Sequence, residues 1–137
     1  EGPAMILQVG VKALIKDGRG NFLFLRRNPK VYPGKGVRWD IPGGRINSDE
    51  NLFDGLAREV FEETGLEIDQ SSAKVIAAQD IFVAEKDLHV VRLTYDVQAT
   101  GSVVLSSEHT DFAWLSKNDV LADEVDRYVR EVLENEA

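Results

Sequence analysis

Apolar residues fall into two patterns along the chain, and the first is strand-like. Ile6, Leu7, Val9 and Val11 mark one stretch over 5–16, and Phe22, Leu23, Phe24 and Leu25 mark another over 21–27. Between them, Asp17-Gly18-Arg19-Gly20 is a cluster of turn formers, so the pattern predicts two strands joined as a hairpin. Residues 28–38, with Pro29, Pro33, Gly34 and Gly36, predict a loop. Trp39-Asp40-Ile41-Pro42 predicts a short strand that stops at its proline, and Gly43-Gly44 predicts a turn.

The period then changes. Phe53, Leu56, Ala57 and Val60 recur at i, i+3, i+4 and i+7, which predicts a helix over 51–64 with Gly65 as its C-cap. Strands follow over 73–84 and 88–99 and at Phe112–Leu115. A last helix over 117–134 places Val125, Tyr128, Val129 and Val132 on its buried face. The order β-β-β-α-β-β-β-α predicts an α/β fold with a mixed sheet between helices. There is no repeat or low-complexity tract, and 137 residues suffice for one domain. Glu1-Gly2-Pro3-Ala4 before Met5 reads as a vector-derived remnant, which leaves 5–137 as a single domain.

Composition removes several kinds of chemistry. The chain has no cysteine, which excludes disulfides, thiolate metal sites and cysteine nucleophiles. His89 and His109 are its two histidines, too few for a multi-histidine zinc site. A metal here would be held mainly by oxygen, which favours magnesium, with manganese as the alternative. No apolar run approaches the ~20 residues of a membrane span, and the expected location is the cytoplasm. The net charge of −8, from 24 acidic and 16 basic residues, disfavours a nucleic-acid polymer as partner. A small anionic substrate is compatible with it if a metal and local cations invert the charge at the site. Monomer and homodimer both remain open.

One stretch changes the picture, from Gly44 to Leu66. Glu59, Glu62 and Glu63 stand at i, i+3 and i+4, so their carboxylates crowd one side of the helix. Like charges at that spacing cost about 0.2–0.5 kcal/mol per pair in an isolated helix. At ~100° per residue, Glu63 also falls between Leu52 and Leu56, inside the apolar arc, where a charge is costly unless something pairs with it. A divalent cation, which needs oxygens converging from one side, accounts for such a cluster. A solvated acidic face is the plainer alternative, and on the helix alone it stands.

The glycines and the arginine decide between the two. Gly44, five residues, Glu50, seven residues, then Arg58-Glu59-Val60-Phe61-Glu62-Glu63-Thr64-Gly65-Leu66 resembles the Nudix box, G-x5-E-x7-R-E-U-x-E-E-x-G-U with U a bulky apolar residue, at every fixed position. Trp39-Asp40-Ile41-Pro42-Gly43-Gly44 is similar to the strand and turn that lead into that box. Phe22 to Arg27 looks like the preceding strand, and Ser107 to Leu115 like the later loop and strand with its tryptophan. The resemblance implies the family's α/β/α sandwich.

It also implies roles. Glu59 and Glu63 would be the principal metal ligands, Glu62 a ligand directly or through water, and the carbonyl of Gly43 a further one. Arg58 would hold the carboxylates in place. Glu50, at a position that assists metal binding in the family, goes with Arg26 to the substrate side. Family members take the general base either from a box glutamate or from an acid in the loop before the last strand; here that loop acid is Glu108, also a candidate ligand. Arg26, Arg27, Lys30, Lys35 and Arg38 form a local excess of cations suited to an anionic ligand. His109 reads as surface rather than ligand, and Trp39, Trp114 and Tyr128 as core packing rather than base stacking.

The implied reaction is metal-dependent hydrolysis of a phosphoanhydride in a nucleoside diphosphate linked to X. It gives a monophosphate and phospho-X, or pyrophosphate. Several substrate signatures are missing. ADP-ribose members carry a proline in the region that is Asp80-Ile81-Phe82 here, and no proline follows Pro42. The expectation is a nucleoside triphosphate or dinucleoside polyphosphate, with ADP-ribose or a nucleotide sugar, or a catalytically silent nucleotide-binding regulator, as alternatives. An isopentenyl-diphosphate isomerase would need the cysteine this chain lacks.

Overall fold

The computed structural model describes residues 4–31, 33 and 38–135. Gly34, Lys35 and Gly36 of the basic loop, and all of the expected N-terminal remnant except Ala4, lie outside the described residues. Among the described residues nine strands and three α-helices follow in the order β1 (Ile6–Ile15), β2 (Phe22–Arg27), β3 (Trp39–Asp40), β4 (Gly43–Arg45), α1 (Leu52–Thr64), β5 (Glu67–Ile68), β6 (Lys74–Val83), β7 (Leu88–Val97), β8 (Ala99–Thr100), β9 (His109–Leu115), α2 (Lys117–Leu121) and α3 (Arg127–Asn135). The α/β class and the mixed sheet expected from the sequence are both present.

Two sheets carry the fold. One runs β4-β1-β7-β6, the other β3-β2-β9. β1 pairs in parallel with β7 from Ile6↔Leu88 to Ile15↔Val97 and antiparallel with β4, while β6 and β7 pair antiparallel. An interior strand is buried on both faces, so it reads as a continuous apolar run, and β1 is buried throughout from Gly10 to Ile15.

The first two strands do not form the hairpin that their turn suggests. Asp17 does reverse the chain: its Oδ1 accepts from the N–H groups of Arg19 at 2.8 Å and Asn21 at 2.9 Å. Past the single bridge Lys16↔Phe22, however, β1 and β2 enter different sheets. β7 takes one edge of β1 and β4 pairs along the other, so β2 finds its partners in β3 and β9. Gly43-Gly44, expected as a turn, is the start of that short strand β4, paired at Lys12↔Gly43 and Val11↔Gly44.

Two apolar layers sandwich the sheets. Val11, Ala13 and Ile15 of β1 and Leu23 and Leu25 of β2 pack with Leu56 and Val60 of α1. On the other face Leu14 and Phe24 pack with Trp39, Ile41, Val120, Val129 and Leu133. The single C-terminal helix expected over 117–134 is broken in two. Between α2 and α3 the chain pairs with β3 instead: Trp39 N donates to Glu124 O at 2.9 Å and Asp126 N to Trp39 O at 2.8 Å. Asp126 then caps α3, accepting from the N–H groups of Tyr128 at 3.0 Å and Val129 at 3.1 Å. A capping carboxylate of that kind stabilises a helix start by about 1 kcal/mol.

Among the described residues no helix is long and apolar enough to cross a membrane. Phe24 is fully buried where β2 meets the α3 layer. Phe24→Ala is expected to destabilise the fold by about 3–5 kcal/mol, seen as a lower urea midpoint with an unchanged slope.

Candidate active site

The site is built where β4 turns into α1. Gly43 has φ 143°, a conformation side chains rarely adopt, and a Cβ there would overlap Val11 O and come 2.7 Å from Lys12 Cα. Only glycine lets the start of β4 lie this close to β1. The close approach lets Gly43 N–H donate to Glu63 Oε1 at 3.0 Å, so the start of β4 and the last turn of α1 are fastened together. Glu63 is only 8% exposed, as its place in the apolar arc of the helix implies. At Gly44 the space a Cβ would need is filled by Glu59, whose Cδ lies 2.6 Å from that position.

Arg58 organises the exposed side of the same helix. Its Nε and Nη2 donate to the two oxygens of Glu50 at 2.6 and 2.9 Å. Nη1 donates to Glu59 Oε1 at 2.9 Å and reaches Glu62 Oε2 at 3.3 Å, and Nη2 also meets Arg45 O at 3.2 Å. A guanidinium in this fork geometry fixes carboxylates in orientation as well as in charge.

The pKa pattern follows burial and partners. Glu50 is drawn down to about 2, first by its hydrogen bonds from Arg58 and then by the Asn47 N–H. Arg58 is raised, chiefly by Glu50. Burial pushes Glu63 up to about 7, against the pull of the Lys12 cation and the Gly43 N–H, with the charge on Glu59 adding to the rise. Glu59 is also raised, by burial first, with Glu62 and Glu108 adding to it against Arg58. For Asp40, burial acts to raise the value, but Lys12, Arg27 and Arg92 together outweigh it and leave it lowered. His109 is lowered, by burial first and then by Lys12.

A cleft of about 200 Å³ is lined by Glu59, Glu63 and Glu108 with Gly43, Gly44, Lys12, Arg27, Arg45 and His109. Beside it opens a wider cleft of about 410 Å³ with Arg27, Arg38, Arg92, Arg127, Phe82 and Tyr128 among its walls. The structure thus brings Gly43, Glu59, Glu63 and Glu108 to one cavity. Glu62, with a side chain 56% exposed, stays at its rim beside Arg58. Glu50 stands on the far side of Arg58, where it anchors the guanidinium.

Arg26 is not brought to the cleft. It faces the α3 layer, with its guanidinium 3.9 Å from the centre of the Trp39 ring and Nη2 3.3 Å from Asp123 Oδ2. Arg27, one residue on and therefore on the opposite face, lines both clefts. The parity is legible in the sequence: Phe22, Phe24 and Arg26 share one face, and Leu23, Leu25 and Arg27 the other. Sequence reasoning also missed Lys12 and Asp40, both buried. A lysine inside the apolar run Val9–Ile15 and an aspartate next to Trp39 were the available signals. His109, half-buried, forms part of the cleft wall. Trp39 and Trp114 pack in the core as expected, and Tyr128 packs partly buried against Ile81, Leu88 and Val90 while also lining the wider cleft, where Arg92 and Arg127 flank its ring at 5.5 and 4.7 Å.

Among the described residues, no three acidic or histidine groups are already drawn together as a ligand set. Arg58 holds Glu59 and Glu62, and Gly43 holds Glu63, so the like charges are kept apart by their own partners. The donors nonetheless fit a hard divalent ion. They are oxygen atoms on one side of a rigid helix, one of them buried and costly to ionise alone.

Comparison with known proteins agrees with this geometry. Residues 6–135 match the NUDIX domain. The chain is 28% identical over 113 residues to a MutT-like protein of Streptomyces ambofaciens, covering 82% of this chain and 66% of that one. It is 26% identical over 111 residues to the nucleoside triphosphatase NudI of Escherichia fergusonii, covering 75% and 77%. The crystal structure of a MutT protein from Methanosarcina mazei Go1 superposes with a TM-score of 0.79 at 29% identity, over 97% of this chain and 94% of that one. The chain thus spans about two-thirds to three-quarters of the length of these two sequence relatives.

Glu63 gives the metal-free protein a distinctive pH response. With a folded value of about 7 against an ordinary 4.5, the native state holds a proton that the unfolded chain has released. Its contribution to stability therefore falls as pH rises from 4.5 to 7. Without metal, Glu63→Gln is expected to gain on the wild type across that window, by roughly 3 kcal/mol at pH 7. Urea unfolding of both proteins in chelator at pH 5 and pH 7 measures the difference.

Proposed function

The chain belongs to the Nudix hydrolase family, and from that premise we propose that it hydrolyses a phosphoanhydride bond in a nucleoside triphosphate or dinucleoside polyphosphate with the help of Mg2+ or Mn2+. The observation that carries this reading is the buried Glu63, pinned to Gly43 beside Glu59 and Glu108 in a cavity that shares Arg27 with an arginine-lined cleft. NudI, among the sequence relatives, is named a nucleoside triphosphatase, which supports the same substrate class.

In this proposal Glu59, Glu63 and the Gly43 carbonyl would hold the ion, with Glu62 contributing from the rim. A bound divalent ion neutralises phosphate oxygens and lowers the pKa of a coordinated water. The remaining work falls to the protein. Arg58 keeps Glu59 and Glu62 oriented, and Glu50 keeps Arg58 oriented. Arg27, rather than Arg26, meets the phosphates, being the arginine common to both clefts. Glu108 takes the proton of the attacking water: it faces the cavity on the loop side, and its carboxylate is not among those that Arg58 holds. The wider cleft receives the remainder of the nucleotide, where Phe82 and Tyr128 offer aromatic surface and Arg38, Arg92 and Arg127 offer cations.

Turnover of nucleoside triphosphates, dinucleoside polyphosphates, ADP-ribose and nucleotide sugars, each with and without Mg2+, tests the proposal. Mg2+-dependent release of pyrophosphate or of a mononucleotide from the first two classes is expected. Turnover confined to ADP-ribose or nucleotide sugars would replace the substrate class, and no turnover with any of them would favour a silent nucleotide binder. Glu63→Gln is expected to lower kcat by about 100-fold or more while the protein stays folded. Near-wild-type turnover by that variant at saturating Mg2+ would remove Glu63 from the ligand set.

A further inference from the structure

Arg27 lines the same small cavity as Glu59, Glu63 and Glu108, and a guanidinium is a strong partner for carboxylates. Were it to close onto them, it would neutralise the cluster, occupy the space of a cation and withdraw from the substrate side. It is held elsewhere. Arg27 Nη2 lies 3.3 Å from Asp40 Oδ2, and β2 and β3 pair at Leu25↔Asp40, so the contact is short-range and built into the sheet. Asp40 is 5% exposed and lines the wider cleft rather than the acidic one.

The carboxylate of Asp40 is itself fixed from behind. Oδ1 accepts from the Ile41 N–H at 2.8 Å and stands 3.5 Å from Lys12 Nζ, and that Nζ donates to Ile41 O at 3.1 Å. With Oδ1 engaged, Oδ2 is left aimed at Arg27. Three residues from β1, β3 and β2 therefore form a chain, Lys12–Asp40–Arg27, that starts from two buried side chains and ends at the part-exposed Arg27, which lines both clefts. Mutual neutralisation of Lys12 and Asp40 as a structural pair would not require Arg27 to join, and the Arg27 guanidinium carries the chain to the place where both clefts meet.

Resting on the metal-hydrolase reading above, we propose that Asp40 is a positioning residue that keeps Arg27 off the carboxylate cluster, leaving the cluster open to a divalent cation and the guanidinium presented to nucleotide phosphate. The cluster and Asp40 compete for Arg27, and burial of Asp40 in a fixed orientation favours Asp40.

Mn2+ binding measured by electron paramagnetic resonance on four proteins tests this: wild type, Asp40→Asn, Arg27→Met and the double variant. Asp40→Asn is expected to weaken Mn2+ binding about tenfold, as when the released arginine makes one charge-assisted hydrogen bond to the cluster in competition with the ion. In the Arg27→Met background the same change is expected to have no effect beyond about twofold, since the competitor is gone. Equal affinity in wild type and Asp40→Asn, or a loss that persists with Arg27→Met, would overturn the proposal, the latter by showing that Asp40 acts through its own charge on Lys12 and Glu63 or through packing, and not through Arg27. If circular dichroism shows Asp40→Asn unfolded, Lys12→Met/Asp40→Asn removes both buried charges and permits the same comparison with and without Arg27→Met. Failure of the wild type to bind Mn2+ would instead strike at the metal reading itself.

Discussion

A single hydrogen bond, from the Gly43 N–H to the buried carboxylate of Glu63, ties the fold to its chemistry. An ionised carboxylate out of water is costly unless its lone pairs are met and a positive charge is near. Here one N–H meets one oxygen, Lys12 supplies a nearby cation, and burial still holds the group up at about 7. The residual demand for positive charge is directed into the cavity. Neighbouring features keep that demand in place: the close approach to β1 that only glycine allows at Gly43, the spacing along α1 that sets Glu63 beside Leu56 and Val60, and the antiparallel pairing of β4 with β1.

Charge in this protein is arranged in layers around that point. Arg58 spreads its donors over Glu50, Glu59, Glu62 and a main-chain carbonyl, so the outer acids are ordered without being neutralised as a set. On the other side Lys12, Asp40 and Arg27 run through the sheets. A net charge of −8 therefore coexists with a cleft walled by arginines. Overall charge bears on polymeric partners and on solubility, while the local array decides what a small anion meets.

Much of this is legible in the sequence, and the failures have physical causes. The helix α1, its cap at Gly65 and the acidic cluster follow from period and spacing, and so does the place of Glu63 in the apolar arc. The hairpin of β1 and β2 fails because a turn sets only chain direction, whereas pairing is settled by which edges remain open. The expected C-terminal helix runs through a segment that pairs with Trp39, a tertiary hydrogen-bond demand invisible to periodicity. Arg26 and Arg27 look alike in sequence until strand alternation is applied to them, and it sends them to opposite faces. Asp40 and Lys12 give little local signal because they lie far apart along the chain and meet only in the fold.

The central claim is that this cavity of oxygens is completed by a divalent cation. Crystals grown with Mn2+ and measured at a wavelength where manganese scatters anomalously address it directly. An anomalous peak coordinated by Glu59, Glu63 and the Gly43 carbonyl is the predicted result. A cavity with no peak, and with the carboxylates of Glu59 and Glu63 turned apart from one another, would contradict the account.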